Sequence, residues 1–140
     1  MTGRRRFALA GFLACLLAIL LITLTPTPVD AGRADWVEAV LTLLHGMGVP
    51  DSFGYTQLEF TANIAMFIPL GAFLAALLPP HRRPIGFLAL PLLSAASELI
   101  QLFALPERHG ALADVLANSI GAWLGLAAVM VATRPRSRER

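Results

Sequence analysis

Two carboxylates stand inside otherwise apolar stretches of this chain, Glu98 and Asp114, and each has an amide one helical turn away. Gln101 follows Glu98 at i+3 and Asn118 follows Asp114 at i+4, spacings that put both members of a pair on one helix face. Glu59 and Asn63 repeat the i+4 spacing. An acid in such a stretch suits three kinds of chemistry: carrying a proton, acting as general base, or holding a polar ligand. Neighbouring amides would orient the ligand, and Arg108, between the two acids in sequence, suits an anionic group. A packing role competes with all of these. Arg108 could pair with Asp114 or Glu98, and Asn118 could bond Gln101 across helices, at roughly 0.6 kcal/mol per bond in a membrane. That role fits Asn63 and Asn118 better than Glu98, whose burial is expensive.

Other chemistries find less support. His45, His81 and His109 share no metal-ligand spacing, and Cys15 is the single cysteine. A zinc site and an intramolecular disulfide are therefore not expected. Cys15 lies within an apolar run that continues well past it, which reads as packing and argues against lipidation. No Gly-rich phosphate loop precedes a helix, and no serine sits in a nucleophile elbow. Ser94, Ser97 and Ser119 read as packing residues. No metal and no cofactor is expected, and no residue is assigned as catalytic.

The elements that must position these residues follow from composition. The chain has 140 residues, 56% hydrophobic and only 14% charged, against roughly 25% charged in an ordinary soluble domain. A small soluble protein needs more polar surface than this. The length suits one domain, residues 1–140. Four apolar runs occupy residues 7–24, 62–78, 85–105 and 113–133. A helix needs about 20 residues to cross the hydrocarbon layer. The second run is short, and its helix is expected to begin near Gln57. The predicted fold is all-α, a polytopic membrane protein with four transmembrane helices. A cleaved signal is the alternative for the first run, after Arg4, Arg5 and Arg6, but its 18 apolar residues exceed the usual 7–15.

Arginine placement orients the spans. Arg4 to Arg6, Arg82, Arg83, Arg134, Arg136, Arg138 and Arg140 fall on one side, and only Arg33 and Arg108 on the other. The positive-inside rule makes the first side cytoplasmic, with both termini inside. These arginines follow a membrane rule and form no nucleic-acid patch. The first outer loop opens with Thr25-Pro26-Thr27-Pro28, which ends the first span. Residues 35–45 read as a short interfacial helix with Asp35 a candidate N-cap. Its apolar face holds Trp36, Val37, Val40, Leu41 and Leu44, with Trp36 at headgroup level.

With this orientation the polar residues gather in the outer half. Glu98 falls roughly 10 Å and Asn118 roughly 7 Å below the outer surface, at 1.5 Å per residue. Asn63, Glu98, Gln101, Arg108, Asp114 and Asn118 form the expected polar pocket, with Glu59 at its entrance. Gly121 and Gly125 have the small-xxx-small spacing of close helix packing. Pro69 and Pro91 free the carbonyls of Ala65 and Phe87, which are then open to a polar partner.

Several segments together resemble the VanZ-like family. Asn63-Ile64-Ala65-Met66-Phe67-Ile68-Pro69-Leu70-Gly71 resembles its N-x-x-x-F-x-P-L-G segment. Ser97-Glu98-Leu99-Ile100-Gln101 resembles its S-x-E-x-x-Q stretch, with the serine here directly before the glutamate. Arg108, Asp114, Asn118 and Gly121 resemble its R…D…N…G pattern, and Leu24-Thr25-Pro26 the end of its first span. The resemblance implies a small multi-pass protein of the bacterial plasma membrane with an outward-facing envelope role. The family's namesake is associated with low-level resistance to the glycopeptide teicoplanin, without remodelling of cell-wall precursors. The expected partners are the lipid bilayer and a lipid-linked envelope component or glycopeptide bound at the pocket. A small proton-coupled transporter is the alternative function, and an intramembrane hydrolase or transferase a further one.

Overall fold

The computed structural model describes residues 2–24, 34–104 and 112–134. The described residues form five α-helices: α1 (Gly3–Leu24), α2 (Ala34–Gly46), α3 (Tyr55–Leu77), α4 (Gly86–Ala104) and α5 (Leu112–Ala132). A 3-10 turn at Pro80–Ile85 leads into α4. The described residues contain no strand. Four helical segments, Gly3–Leu24, Tyr55–Leu77, Pro80–Phe103 and Leu112–Ala132, are long and apolar enough to cross a membrane.

α3 begins earlier than the apolar run suggests. Its start is fixed by polar groups rather than hydropathy: the Gly54 backbone N–H donates to Gln57 Oε1 at 3.0 Å, half of a capping box. Thr56, Gln57 and Glu59 are therefore helical. At the far end Leu78 turns extended before Pro79 and Pro80, where the restriction on residues preceding proline ends the helix. α2 starts at Ala34, which puts Asp35 inside the first turn rather than at the cap. There its carboxylate favours the positive end of the helix dipole. Val37, Val40, Leu41 and Leu44 are half-buried, but Trp36 is exposed. Trp36 shares an uncovered flank with Leu43 and Met47.

The four long helices pack in the ring order α1, α3, α5, α4, and α3 and α5 share the largest interface. Glycines set that interface. A Cβ at Gly121 would overlap the Ile64 carbonyl oxygen, and one at Gly125 the Ile68 oxygen. On α3, a Cβ at Gly71 would overlap the Ala122 oxygen. The two backbones thus touch directly, the packing that holds helices together where lipid removes the hydrophobic drive. Ile19, Phe67, Leu70, Ala75, Leu90, Ala122 and Leu126 form the buried apolar core, and Cys15 packs against its edge. Outside, Leu13, Leu17, Leu21, Leu88, Leu92, Leu99 and Leu124 are all exposed. Apolar exposure on every flank is what a bilayer requires and water forbids.

Pro91 leaves the Phe87 carbonyl without a helical donor, and Trp123 Nε1–H of α5 supplies one at 2.9 Å. The rings of Phe87 and Trp123 also meet, at 6.5 Å. Arg83 closes the same end of the bundle. Its Nε donates to the Ala75 carbonyl of α3 at 3.0 Å and its guanidinium also donates to Thr133 Oγ1 after α5. Phe7 of α1 packs edge-on against Phe73 of α3. The start of α1 and the ends of α3 and α5 therefore lie at one end, with Arg4, Arg5, Arg6, Arg82, Arg83 and Arg134.

Candidate functional site

The opposite end of the bundle is built of amides, hydroxyls and carboxylates. On α4, Ser94, Glu98 and Gln101 recur at i, i+4 and i+7, one face at 3.6 residues per turn. All three are buried, Glu98 to 8% exposure. On α5, Asp114 and Asn118 share a face with Gly121 and Gly125. The glycines seat that face on α3, so its polar residues meet α3 and α4.

Hydrogen bonds between described residues tie the helices together here. Asn63 Nδ2 of α3 donates to Asp114 Oδ1 of α5 at 2.9 Å. Gln101 Nε2 of α4 donates to the Thr23 carbonyl of α1 at 2.6 Å. That carbonyl belongs to the last turn of α1, where the helix itself offers no donor. One turn deeper, Asn118 Nδ2 of α5 donates to Ser94 Oγ of α4 at 2.9 Å. Asn118 is 3% exposed, and its Oδ1 is buried with no hydrogen-bond partner among the described residues. Glu98 lies between the two levels on α4.

The sequence groups Asn63, Glu98, Gln101, Asp114 and Asn118 together, and all five stand at this end. The pairing differs from the clamp considered above. Asn118 bonds Ser94 instead of Gln101, because α5 faces the middle of α4 while the end of α4 faces α1. Glu59 is exposed, one turn beyond Asn63 on the overhanging start of α3. Arg108 lies outside the described residues, and so does any pairing it makes. Ser94 and Thr23 are the contributors that reading the sequence misses. Ser94 carries a usable signal, its place on the Glu98 face. Ser97 and Ser119 donate to the carbonyls of Leu93 and Val115 in their own helices, the ordinary back-bonding of helical serines.

Charge is segregated along the bundle. Every described arginine stands at the other end, or on the helix turns flanking it. Among the described residues, the charged side chains on the face of this site are carboxylates. The arrangement can accept hydrogen bonds from a ligand and orient it through its amides.

A family model described as VanZ/LLP1 matches residues 12–133. The chain belongs to the VanZ/LLP1 family. The match takes in every polar residue of this site and all of α2 to α5. With its four apolar helices, this VanZ/LLP1 protein is a multi-pass membrane protein in contact with lipid. No curated protein and no solved structure matches it.

Proposed function

We propose that this protein works in the bacterial plasma membrane with both termini cytoplasmic. Its acid-and-amide end faces outward and binds the polar head of a lipid-linked envelope component. Asn63, Glu98, Gln101, Asp114 and Asn118 form the pocket, and engagement of the envelope lowers susceptibility to teicoplanin. The observation carrying this reading is the burial of Glu98 on the Ser94 and Gln101 face of α4, at the end away from the described arginines. A carboxylate within a span is costly, up to about 2.5–3.5 kcal/mol at the span centre on insertion scales. Glycine contacts already supply close packing between α3 and α5, so packing alone gives little reason to bear that cost.

Burial of Glu98 also suits proton-coupled transport. A transport path needs polar groups through both halves of the membrane, and the other half of this core is Leu70, Ala75, Leu90 and Leu126. That favours binding at one face over passage across it.

Lipid retention tests the proposal. Purified full-length protein is expected to carry an envelope lipid into native mass spectrometry. The combined Glu98→Gln and Asp114→Asn substitutions, which keep side-chain shape, should reduce that occupancy at least about tenfold, the loss of one or two charge-assisted hydrogen bonds. Equal occupancy in wild type and variant would reject the pocket.

A further inference from the structure

Asn118 Oδ1 is a strong acceptor held out of water, and no described residue donates to it. Buried polar atoms are nearly always satisfied, so an orphan in a built polar site signals a missing partner. The amide's position is fixed from its other side, where Nδ2 donates to Ser94 Oγ at 2.9 Å. Ser94 is itself 1% exposed. Glu98 stands one turn from Ser94 on the same face of α4, and Asp114 one turn from Asn118 on α5. Both are acceptors when ionised. The site therefore offers acceptors at two levels about 6 Å apart along α5, with its deepest acceptor unmatched.

Resting on the binding role proposed above, we infer that Asn118 Oδ1 is the floor of the pocket and selects headgroups that bring a hydroxyl donor. The ligand is a hydroxylated headgroup, of glycerol or sugar type, whose hydroxyl reaches past Asp114 and donates to Asn118 Oδ1. A headgroup with acceptors alone leaves that oxygen orphaned. Neutral hydrogen bonds of this kind are worth about three- to tenfold in affinity, which sets the expected selectivity.

The chain contains two asparagines, Asn63 and Asn118, and this makes a direct test possible. Full-length protein labelled with 15N-asparagine shows two side-chain amide signals. Asn63, held by Asp114, is the reference. In nanodiscs, phosphatidylglycerol is titrated against phosphatidylmethanol, which has the same charge and no headgroup hydroxyl. A glycosylated polyprenyl phosphate is titrated against a polyprenyl methyl phosphate, a diester of the same charge with no hydroxyl. The Asn118 signal is expected to move with the hydroxylated member of one pair and not with its partner. The pair that separates identifies a glycerol or a sugar source. The hydroxylated lipid should saturate at about three- to tenfold lower concentration.

An equal shift with both members would overturn the inference, because the signal would then respond to a headgroup that has no hydroxyl to donate to Oδ1. No shift at Asn118 in either pair would also overturn it and leave a buried water as the partner of Oδ1. Retention of an envelope lipid with no selective shift leaves the binding role standing and removes only the hydroxyl selectivity. Absence of any lipid retention removes both. Asn118→Leu in matched nanodiscs should reduce the preference to less than about twofold, and a melting curve establishes that the variant is folded.

Discussion

Gly125→Val is expected to abolish the assembled bundle. The added Cβ would overlap the Ile68 carbonyl oxygen and lie 2.8 Å from the Ala72 backbone nitrogen. Both obstacles are backbone in the middle of a helix, so no rotamer change relieves them. The helices must separate, and α3 against α5 is the largest interface in the molecule. Overpacking of a core costs about 1–3 kcal/mol when side chains can adjust; here they cannot, and the cost is expected to exceed about 3 kcal/mol. In a bilayer, contact packing is most of what holds two helices together. Solubilised in mild detergent, the variant should lose its monodisperse gel-filtration peak. Gly46→Ala is the control, because a Cβ there meets nothing within 4 Å. A Gly125→Val protein with the wild-type peak and melting temperature would contradict this packing.

The second large effect is all-or-none and concerns orientation. With Cys15→Ala as background, a cysteine introduced by Thr42→Cys on α2 should react with a membrane-impermeant maleimide on intact protoplasts. A cysteine introduced by Thr2→Cys should react only after the membrane is opened. Both positions are exposed, so a difference in labelling reports sidedness. The physical cause is the arginine distribution. Arg4 to Arg6, Arg82, Arg83 and Arg134 share one end, and arginines near span ends are retained in the cytoplasm. Labelling of Thr2→Cys on intact protoplasts would turn the molecule over and put the polar site inside.

Much of this arrangement is legible from residue spacing. Four apolar runs give the four spans, and the i+3 and i+4 pairs give the shared faces of Glu98 with Gln101 and of Asp114 with Asn118. The Gly121 and Gly125 spacing announces close packing. What spacing cannot supply is which helix stands beside which. Gln101 reaches the Thr23 carbonyl because α4 neighbours α1, and Asn118 reaches Ser94 because α5 crosses α4 one turn deeper. Neither adjacency leaves a mark in the local pattern. Pro91 tells that the Phe87 carbonyl is free, but only the fold brings Trp123 to it. The start of α3, expected near Gln57 and found at Tyr55, lies outside the apolar run for a different reason. Hydropathy reports membrane contact, whereas the helix begins where Gln57 caps Gly54, two turns outside the apolar run. Arg83 reads as a topology signal alone, yet it also joins the last turn of α3 to Thr133.

The polar site is proposed to face outward and act on the envelope. The most direct test is teicoplanin and vancomycin susceptibility in a sensitive Gram-positive host. The host expresses wild-type protein or the Glu98→Gln, Asp114→Ala double variant at matched membrane levels. A selective decrease in teicoplanin susceptibility with wild type, lost in the variant, is the predicted result. Well-inserted wild-type protein that leaves teicoplanin susceptibility unchanged, or a variant that protects as well as wild type, would contradict it.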